Sequence, residues 1–269
     1  GQSTSAQVEV SYFFGGGVAN RPVQWNVIAQ DFNFTPPWGG NYRWTDSDDP
    51  WMCFDCWWFS RYTPPAQPIL SGSGTTDAQG NLTIELPADL LQDGQPISQS
   101  VRLTLEATVT GNDNQVISGR GSIIRHSGDF YVGVQTRAYV GEASKPSTID
   151  LIAVDWQGNR LANKSLQVSV VRREWENKFV ANEFGGGDWQ YEQKDVPITT
   201  STVTTNERGE ATFDYTPPAA GSYKITVKAT DNGGREVRAS VFQWVTGREF
   251  VSWRRENNDR ISLIGDKSS

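Results

Sequence analysis

The residues of this chain that could do chemistry are few, and two of them form a Cys-x-x-Cys pair. Cys53 and Cys56 are the 2 cysteines of the 269 residues, and Asp55 stands next to the second. Such a pair is either a redox site, which needs a helix N-terminus to lower the thiol pKa, or a disulfide. Asp55 opposes thiolate formation. In the loop-entropy model so small a ring stabilises by about 2 kcal/mol, enough to hold a loop tip and too little to hold a domain.

An acidic run precedes the cysteines. Asp46, Asp48 and Asp49 could offer oxygen ligands to calcium, but their spacing matches no EF-hand loop and lacks its terminal glutamate. We interpret the run as a solvated turn, with calcium as the open alternative. A zinc site of four ligands is excluded for this chain, which has 2 cysteines and 1 histidine. The sequence therefore predicts no metal site of Cys and His ligands.

Candidates for catalysis are equally sparse. His126 is the sole imidazole, so any Ser-His-Asp or Cys-His site would need it, and its place in an Arg-His-Ser-Gly linker predicts a surface residue. Gly15 to Gly17 lack the lysine and the following helix of a phosphate loop, and predict a turn. Acidic residues are scattered, without the paired arrangement of a glycosidase. We predict no catalytic residue, no cofactor site and no enzyme activity.

Residues 31–68 are unusually rich in aromatic side chains. We single out as an interaction surface Trp38, Tyr42, Trp44, Trp51, Trp57 and Trp58. So many rings cannot all face water. They could form a mini-core within a long loop, dock on a neighbouring domain, or stack against sugar rings. The tendency of long loops to pack their own side chains favours the first interpretation.

The elements that carry these residues are predicted to be strands. Val, Ile, Thr and aromatic residues alternate with polar ones between Gly, Pro, Asn and Asp clusters, which is typical of half-buried strands in an all-β protein. No run of 18 apolar residues could cross a membrane. The net charge of -7, with scattered Lys and Arg, argues against a nucleic-acid partner.

Three blocks of sequence occur twice, in the same order. The pairs are Ala19–Val27 with Ala162–Val170, Thr75–Ile84 with Thr204–Phe213, and Arg102–Thr108 with Lys224–Thr230. Each block predicts a turn, a strand or both, and the gaps between blocks differ in length. The pattern indicates two homologous domains, each a two-layer antiparallel β-sandwich of the macroglobulin or immunoglobulin kind.

The repeat predicts where the domains begin and end. We place the first domain at 1–127 with the insertion 31–68, the second at 128–247, and a linker with the opening strand of a third at 248–269. The second copy has two strands, at 130–139 and 147–156, before its first repeated block, whereas the first copy has one, at 8–14. We therefore expect a chain cut within a repeating array, whose tail, 255–269, can self-associate by strand exchange.

These residues resemble the macroglobulin domains of bacterial α2-macroglobulins, over nearly the whole chain and least over 32–68. The first half resembles one such domain at Tyr12–Val23 and Gly74–Gly80. The second half resembles the next at Tyr139–Gly141, Leu151–Trp156, Val171–Trp175, Thr216–Pro218 and Val245–Glu249, and Asn257–Arg260 resembles the opening of another.

The resemblance implies a scaffold segment of a very large extracytoplasmic protein. Members of that family trap proteases when an exposed bait segment is cleaved, and many carry a Cys-x-x-Gln thioester. The Cys53–Cys56 segment lacks the glutamine, so we expect no thioester here and identify no bait. In an exported protein the two cysteines favour a disulfide. The implied partners are neighbouring domains of the same chain, with proteases bound only by the whole protein.

The tryptophan-rich insertion supports a rival hypothesis. Aromatic faces bind sugars, so the chain could instead be a carbohydrate-binding or adhesive β-sandwich module of a cell-surface protein. Saturable quenching of tryptophan fluorescence by oligosaccharides would favour the rival.

Overall fold

The computed structural model describes residues 4–48, 68–92, 94–111, 115–181 and 187–248. This part of the chain forms two compact units, and each is built from strands. The first unit contains residues 4–35, 68–129 and 230–237. The second contains 36–48, 130–229 and 238–248. The predicted all-β class with two tandem β-sandwich domains is confirmed.

The first unit has a four-stranded sheet in the order β3-β2-β7-β8, a two-stranded sheet β1-β4 and a short pair β5-β6. The strands are β1 (Thr4–Glu9), β2 (Pro22–Asp31), β3 (Pro68–Thr75), β4 (Asn81–Leu86), β5 (Leu91–Gln92), β6 (Gln95–Pro96), β7 (Val101–Thr110) and β8 (Val116–Arg125).

The second unit has a five-stranded sheet in the order β10-β16-β15-β12-β13 and a three-stranded sheet β14-β11-β9. The strands are β9 (Tyr131–Thr136), β10 (Val140–Glu142), β11 (Ser147–Val154), β12 (Ser165–Ala181), β13 (Gly187–Thr204), β14 (Glu210–Tyr215), β15 (Gly221–Thr230) and β16 (Glu236–Thr246). Strand β10 runs parallel to β16, which departs from the predicted antiparallel pattern.

Alternating apolar residues of the facing sheets form a core in each unit. In the first unit Val27, Leu103 and Ile84 belong to one buried cluster. In the second, Leu151 and Ile225 are fully buried. This alternation follows from the two-residue period of a strand, which sends every second side chain inward. The described residues contain no helix long and apolar enough to span a membrane.

The two units repeat one hydrogen-bond network at the turn after β1 and β11. Thr76 Oγ1 donates to Val18 O at 2.7 Å and accepts from Arg21 N at 2.9 Å. In the second unit, Thr205 Oγ1 donates to Leu161 O at 2.8 Å and accepts from Lys164 N at 2.9 Å. Both threonines are buried.

The following turns match as closely. Asp77 Oδ1 accepts from the backbone nitrogens of Gln79 and Asn81, both at 2.8 Å, and Asn206 Oδ1 does the same for Arg208 and Glu210. The threonine bonds to Arg21 and Lys164 join the first two blocks of the sequence repeat, and the Asp77 and Asn206 bonds close the turn within the second block. The repeated residues therefore define one turn architecture used twice.

Two details of the sequence interpretation are wrong. In the first unit Trp25 pairs with Ala107, and in the second unit Val168, the equivalent of Trp25, pairs with Val227. Ala107 therefore corresponds to Val227, two residues earlier in the chain than the sequence alignment of the third block places its equivalent. A shift of two residues leaves the same side chains facing the core, so the hydrophobic pattern of the sequence does not reveal the shift. The strand predicted at 8–14 is instead β1, because the chain from Tyr12 onward turns, with Gly15 N donating to Tyr12 O at 2.9 Å.

Candidate functional site

Residues 36–48, which we call the strap, lie on the second unit. The strap is joined to β9 by two backbone hydrogen bonds, from Arg43 N to Val134 O at 2.9 Å and from Val134 N to Arg43 O at 3.0 Å. Further along, Ser240 N of β16 donates to Thr45 O at 3.1 Å. The strap therefore adds backbone pairing to strands from both sheets of this unit.

Trp44 packs beside Gly133 of β9. Its side chain is 9% exposed, so the indole is part of the core. A Cβ atom on Gly133 would lie 2.9 Å from the Trp44 ring and 2.8 Å from Ile152. Glycine is thus required at 133 by the close approach of the indole. Trp38 and Tyr42 lie against the same indole, with centroid distances of 6.2 and 5.9 Å.

Trp38 is fixed at both its polar and its aromatic surfaces. Its Nε1 donates to Gly158 O at 2.8 Å, and the guanidinium of Arg160 stands over the ring at 5.4 Å. The side chain is still 42% exposed. One face of the indole is therefore used in a cation–π contact, and the N–H that a sugar hydroxyl would need is already bound.

The acidic end of the strap binds basic residues of the five-stranded sheet. Asp46 accepts from Ser240 Oγ at 2.7 Å and lies 2.9 Å from Lys224 Nζ. Asp48 lies 2.6 Å from the same ammonium group, and accepts from Arg173 Nη2 at 3.1 Å. Lys224 and Arg173 stand on neighbouring strands β15 and β12, and both are buried.

Arg173 is the centre of this cluster. It donates through Nη1 to the backbone oxygen of Asp48 at 2.9 Å and through Nε to Asp195 at 2.9 Å. Its Cζ atom lies over the ring of Phe242, 5.2 Å from the ring centroid. The guanidinium group can serve these partners together because its donors form a planar fork. A buried cation is tolerated where its charge and its N–H groups are matched in this way.

The two strap carboxyls titrate below the ordinary aspartate range. A hydrogen bond from Lys224 lowers the pKa of Asp48, and Arg173 acts in the same direction. For Asp46, burial raises the pKa, but the hydrogen bonds from Lys224 and Ser240 outweigh it and the net pKa is lowered. Both groups are thus held as carboxylates whose role is to bind the sheet.

The structure changes the interpretation of the strap residues. Trp44, predicted as interaction surface, is core, Tyr42 is half-buried, and Trp38 is exposed as predicted. Residues 36–48 belong to the second unit and not to the first, where the sequence placed them. Of the three interpretations of the insertion, docking on a neighbouring domain therefore fits these residues. Asp46 is not in a solvated turn, since its side chain is 14% exposed and paired with Lys224. Asp48 has a side chain that is 78% exposed, as the interpretation as a solvated turn predicts.

The remaining predicted residues fall outside the described part of the chain. These are Trp51, Trp57, Trp58, Cys53, Cys56 and Asp49. His126 is described, and it is half-buried with its ring 6.1 Å from that of Phe32. Burial lowers its pKa. In the described ranges, no three His, Cys, Asp or Glu side chains form a group that could hold a metal ion.

Sequence reasoning missed a buried polar site at Gln243. This fully buried amide accepts from Ser147 Oγ at 2.9 Å and from Tyr215 OH at 2.7 Å, and it donates to Ala138 O at 2.8 Å. Burial raises the pKa of Tyr215, so its hydroxyl stays a donor. The only signal in the sequence is a glutamine at an inward position of the apolar strand β16.

The described strands define a protein of two tandem β-sandwich units. A family model described as bacterial macroglobulin domain 6 matches residues 133–259. An α2-macroglobulin homolog from Nostoc sp. is 20% identical over 271 residues, covering 99% of this chain and 13% of the relative. Residues 133–259 therefore match a bacterial macroglobulin domain, and the chain as a whole is similar to bacterial α2-macroglobulins.

Solved structures agree on the fold. The native conformation of Escherichia coli α2-macroglobulin superposes with a TM-score of 0.62 at 13% identity, over 93% of this chain and 16% of that one. A Salmonella α2-macroglobulin variant gives 0.61 at 14% identity, over 90% and 15%. The chain thus spans about a seventh of the length of these relatives.

Proposed function

We propose that this chain is a rigid, non-catalytic scaffold segment of a protein that traps proteases. The observation that carries the proposal is similarity along 99% of the chain to an α2-macroglobulin homolog. The relatives are much longer, so trapping belongs to the whole protein. In this proposal the segment positions other domains of the whole protein. The bait and any thioester belong to other parts of that protein.

The way the charged groups are used supports a structural role. Arg173 and Lys224 are buried and bind the strap carboxylates, and Gln243 satisfies three buried polar groups. Such networks rigidify a fold when every member is satisfied. The strap belongs by sequence to the insertion of the first repeat, and it binds the second unit. A connection of this kind suits a scaffold.

Several finer points are part of the same proposal. We assign the protein to an extracytoplasmic location, the periplasm, cell surface or medium, where a Cys53–Cys56 disulfide would persist. We keep the domain boundaries 1–127 and 128–247, with residues 36–48 reassigned to the second domain. The partners are neighbouring domains of the parent chain and, for the whole protein, proteases, with no nucleic acid.

The test is protease inhibition by the chain itself. We expect trypsin and elastase to cleave a large protein substrate at unchanged rates in the presence of an equimolar amount of the chain. Inhibition that saturates at one chain per protease would overturn the scaffold proposal. The carbohydrate hypothesis loses support at Trp38, where Arg160 stands over one face of the ring and the N–H is bound. For Trp51, Trp57 and Trp58, which lie outside the described residues, it stays a prediction.

A further inference from the structure

Strand β13 lies at the edge of the five-stranded sheet of the second unit. Among the described strands it pairs with β12 alone, so its outer side offers backbone N–H and C=O groups to a further strand. Proteins guard such edges with charges, prolines and β-bulges, because an unguarded edge pairs with other chains. The placing of these guards along β13 therefore shows which part of the edge is open to a partner.

The guards of β13 lie in its first part. Glu192, Lys194 and Asp195 are charged and exposed, and Pro197 follows them. The pairing with β12 then passes over Ile198, which is a β-bulge. This part of the edge is therefore protected in three ways against an added strand.

Residues 199–204, which we call the open edge, carry none of these guards. Their sequence, Thr-Thr-Ser-Thr-Val-Thr, has no charge, no proline and no glycine, and it is rich in β-branched residues. The side chains of Thr200 and Thr202 are exposed, whereas those of Ser201 and Val203 are half-buried. The open edge is thus a regular strand that can extend the sheet without opposing a charge.

The first unit has an equivalent edge in β3. Pro68 and Ile69 correspond to Pro197 and Ile198, since the repeat aligns the last residues of the two strands. The pairing of β3 with β2 passes over Ile69, so the bulge is repeated as well. Both edges therefore begin with the same proline and bulge and continue without charge.

The two edges differ in their inward side chains. A Cβ atom on Gly72 of β3 would lie 2.3 Å from the ring of Trp25, so this position is restricted to glycine. Gly74 is the next inward residue, whereas β13 has Ser201 and Val203 at the equivalent positions. Glycine weakens a strand and gives an added strand no side chain to pack on. Of the two edges, β13 is therefore the better acceptor.

We propose that the open edge is a dimer interface, at which β13 of one copy of the chain pairs antiparallel with β13 of a second copy. A two-fold axis at Ser201 places Thr200 opposite Thr202 of the second copy, and Thr199 opposite Val203 of the second copy. Opposed residues then share one face of a continuous sheet, and threonine pairs are favourable cross-strand neighbours.

A second copy is the fitting partner because the open edge is complementary to itself. No pair in this register opposes two charges, and the contact is isologous, so assembly stops at two chains. The association does not depend on protease trapping. The tail 255–269, for which the sequence predicts strand exchange, lies outside the described residues, and the open edge is a separate interface.

The first experiment is sedimentation equilibrium of the full chain from low to high micromolar concentration, with a reductant to exclude disulfide-linked dimers. We expect the wild type to approach twice the mass of one chain. Thr200→Lys/Thr202→Lys opposes like charges across the axis and should raise the dissociation constant at least about tenfold. The matched control, Ser71→Lys/Ser73→Lys, adds the same charges at the equivalent exposed positions of β3 and should leave it unchanged. Far-UV circular dichroism verifies that both variants stay folded.

The second experiment restores the complementarity. Thr200→Glu/Thr202→Glu should also be monomeric alone, but an equimolar mixture with the lysine variant should form a heterodimer, because each lysine then opposes a glutamate. Native mass spectrometry distinguishes the heterodimer from the two homodimers. A wild type that stays monomeric, a lysine variant that dimerises like the wild type, a control that loses the dimer, or a mixture that stays monomeric would each overturn the proposal.

Discussion

Arg173 binds Asp48, which lies 125 positions earlier in the chain, through both its backbone oxygen and its carboxylate. Asp195 binds the same guanidinium from the neighbouring strand at 2.9 Å. The strap is therefore held by a fork of donors that also joins β12 to β13. The contacts of Arg173 therefore differ from those of a surface ion pair, because its side chain is 1% exposed.

Arg173→Lys should destabilise the second unit by about 2 kcal/mol, because an ammonium group cannot serve the separated partners that the planar fork reaches. Arg137→Lys is the matched control. Its bidentate contact with Asp150 is solvent-exposed, with the arginine side chain 58% exposed, so Arg137→Lys should destabilise the protein clearly less than Arg173→Lys. Urea unfolding of both variants measures the difference, and equal losses would contradict the assigned role of Arg173.

Acid should weaken the strap. Asp46 and Asp48 have pKa values below the ordinary 3.8 in the folded protein. A carboxyl with a lowered folded-state pKa stabilises above its unfolded pKa, and that stabilisation is lost as the pH falls through the folded-state value. The free energy of unfolding of the wild type minus that of Asp46→Asn/Asp48→Asn should be constant near neutral pH and shrink below 3.8. A difference independent of pH would refute the ionic contribution.

Local features of the fold could be predicted from the sequence, whereas the strap contacts could not. Thr76 and Thr205 lie in repeated blocks, so their turns were recognisable from a few neighbouring residues. Asp46 contacts Lys224 only in the folded unit. The order of strands in a sheet cannot be predicted from any one segment of the sequence. The acidic run therefore looked like a solvated turn, and Trp44 looked like surface.

Thr76→Val and Thr205→Val should each destabilise their own unit by about 2 kcal/mol. Valine keeps the shape but leaves Val18 O or Leu161 O without its buried donor. It also removes the acceptor of the backbone nitrogen of Arg21 or Lys164. Thr→Ser at the same positions retains the hydroxyl and should cost less than valine. Denaturant unfolding of the four variants tests the repeat, and a loss in only one unit would show that the two networks are not equivalent in energy.

Gly158→Ala should loosen the strap. A Cβ at this position would lie 2.7 Å from Pro37 Cδ, and the backbone has φ +87°. Gly94→Ala is a control for the backbone alone, since Gly94 has φ +75° with open space around its Cβ position. Trypsin cleavage after Arg43 reports release, because its backbone is bound to Val134 when the strap is docked. Faster cleavage in both variants alike would contradict the steric explanation.

Gln243→Leu should cost the second unit about 3 kcal/mol, because the hydroxyls of Tyr215 and Ser147 and the carbonyl of Ala138 lose their partner inside the core. The expected penalty comes from stranded polar groups more than from lost attraction. Tyr215→Phe in the Gln243→Leu background removes one such group, so the double variant should be more stable than the sum of the single losses. A double-mutant cycle by urea unfolding measures this coupling, and strict additivity would show that Gln243 and Tyr215 contribute independently.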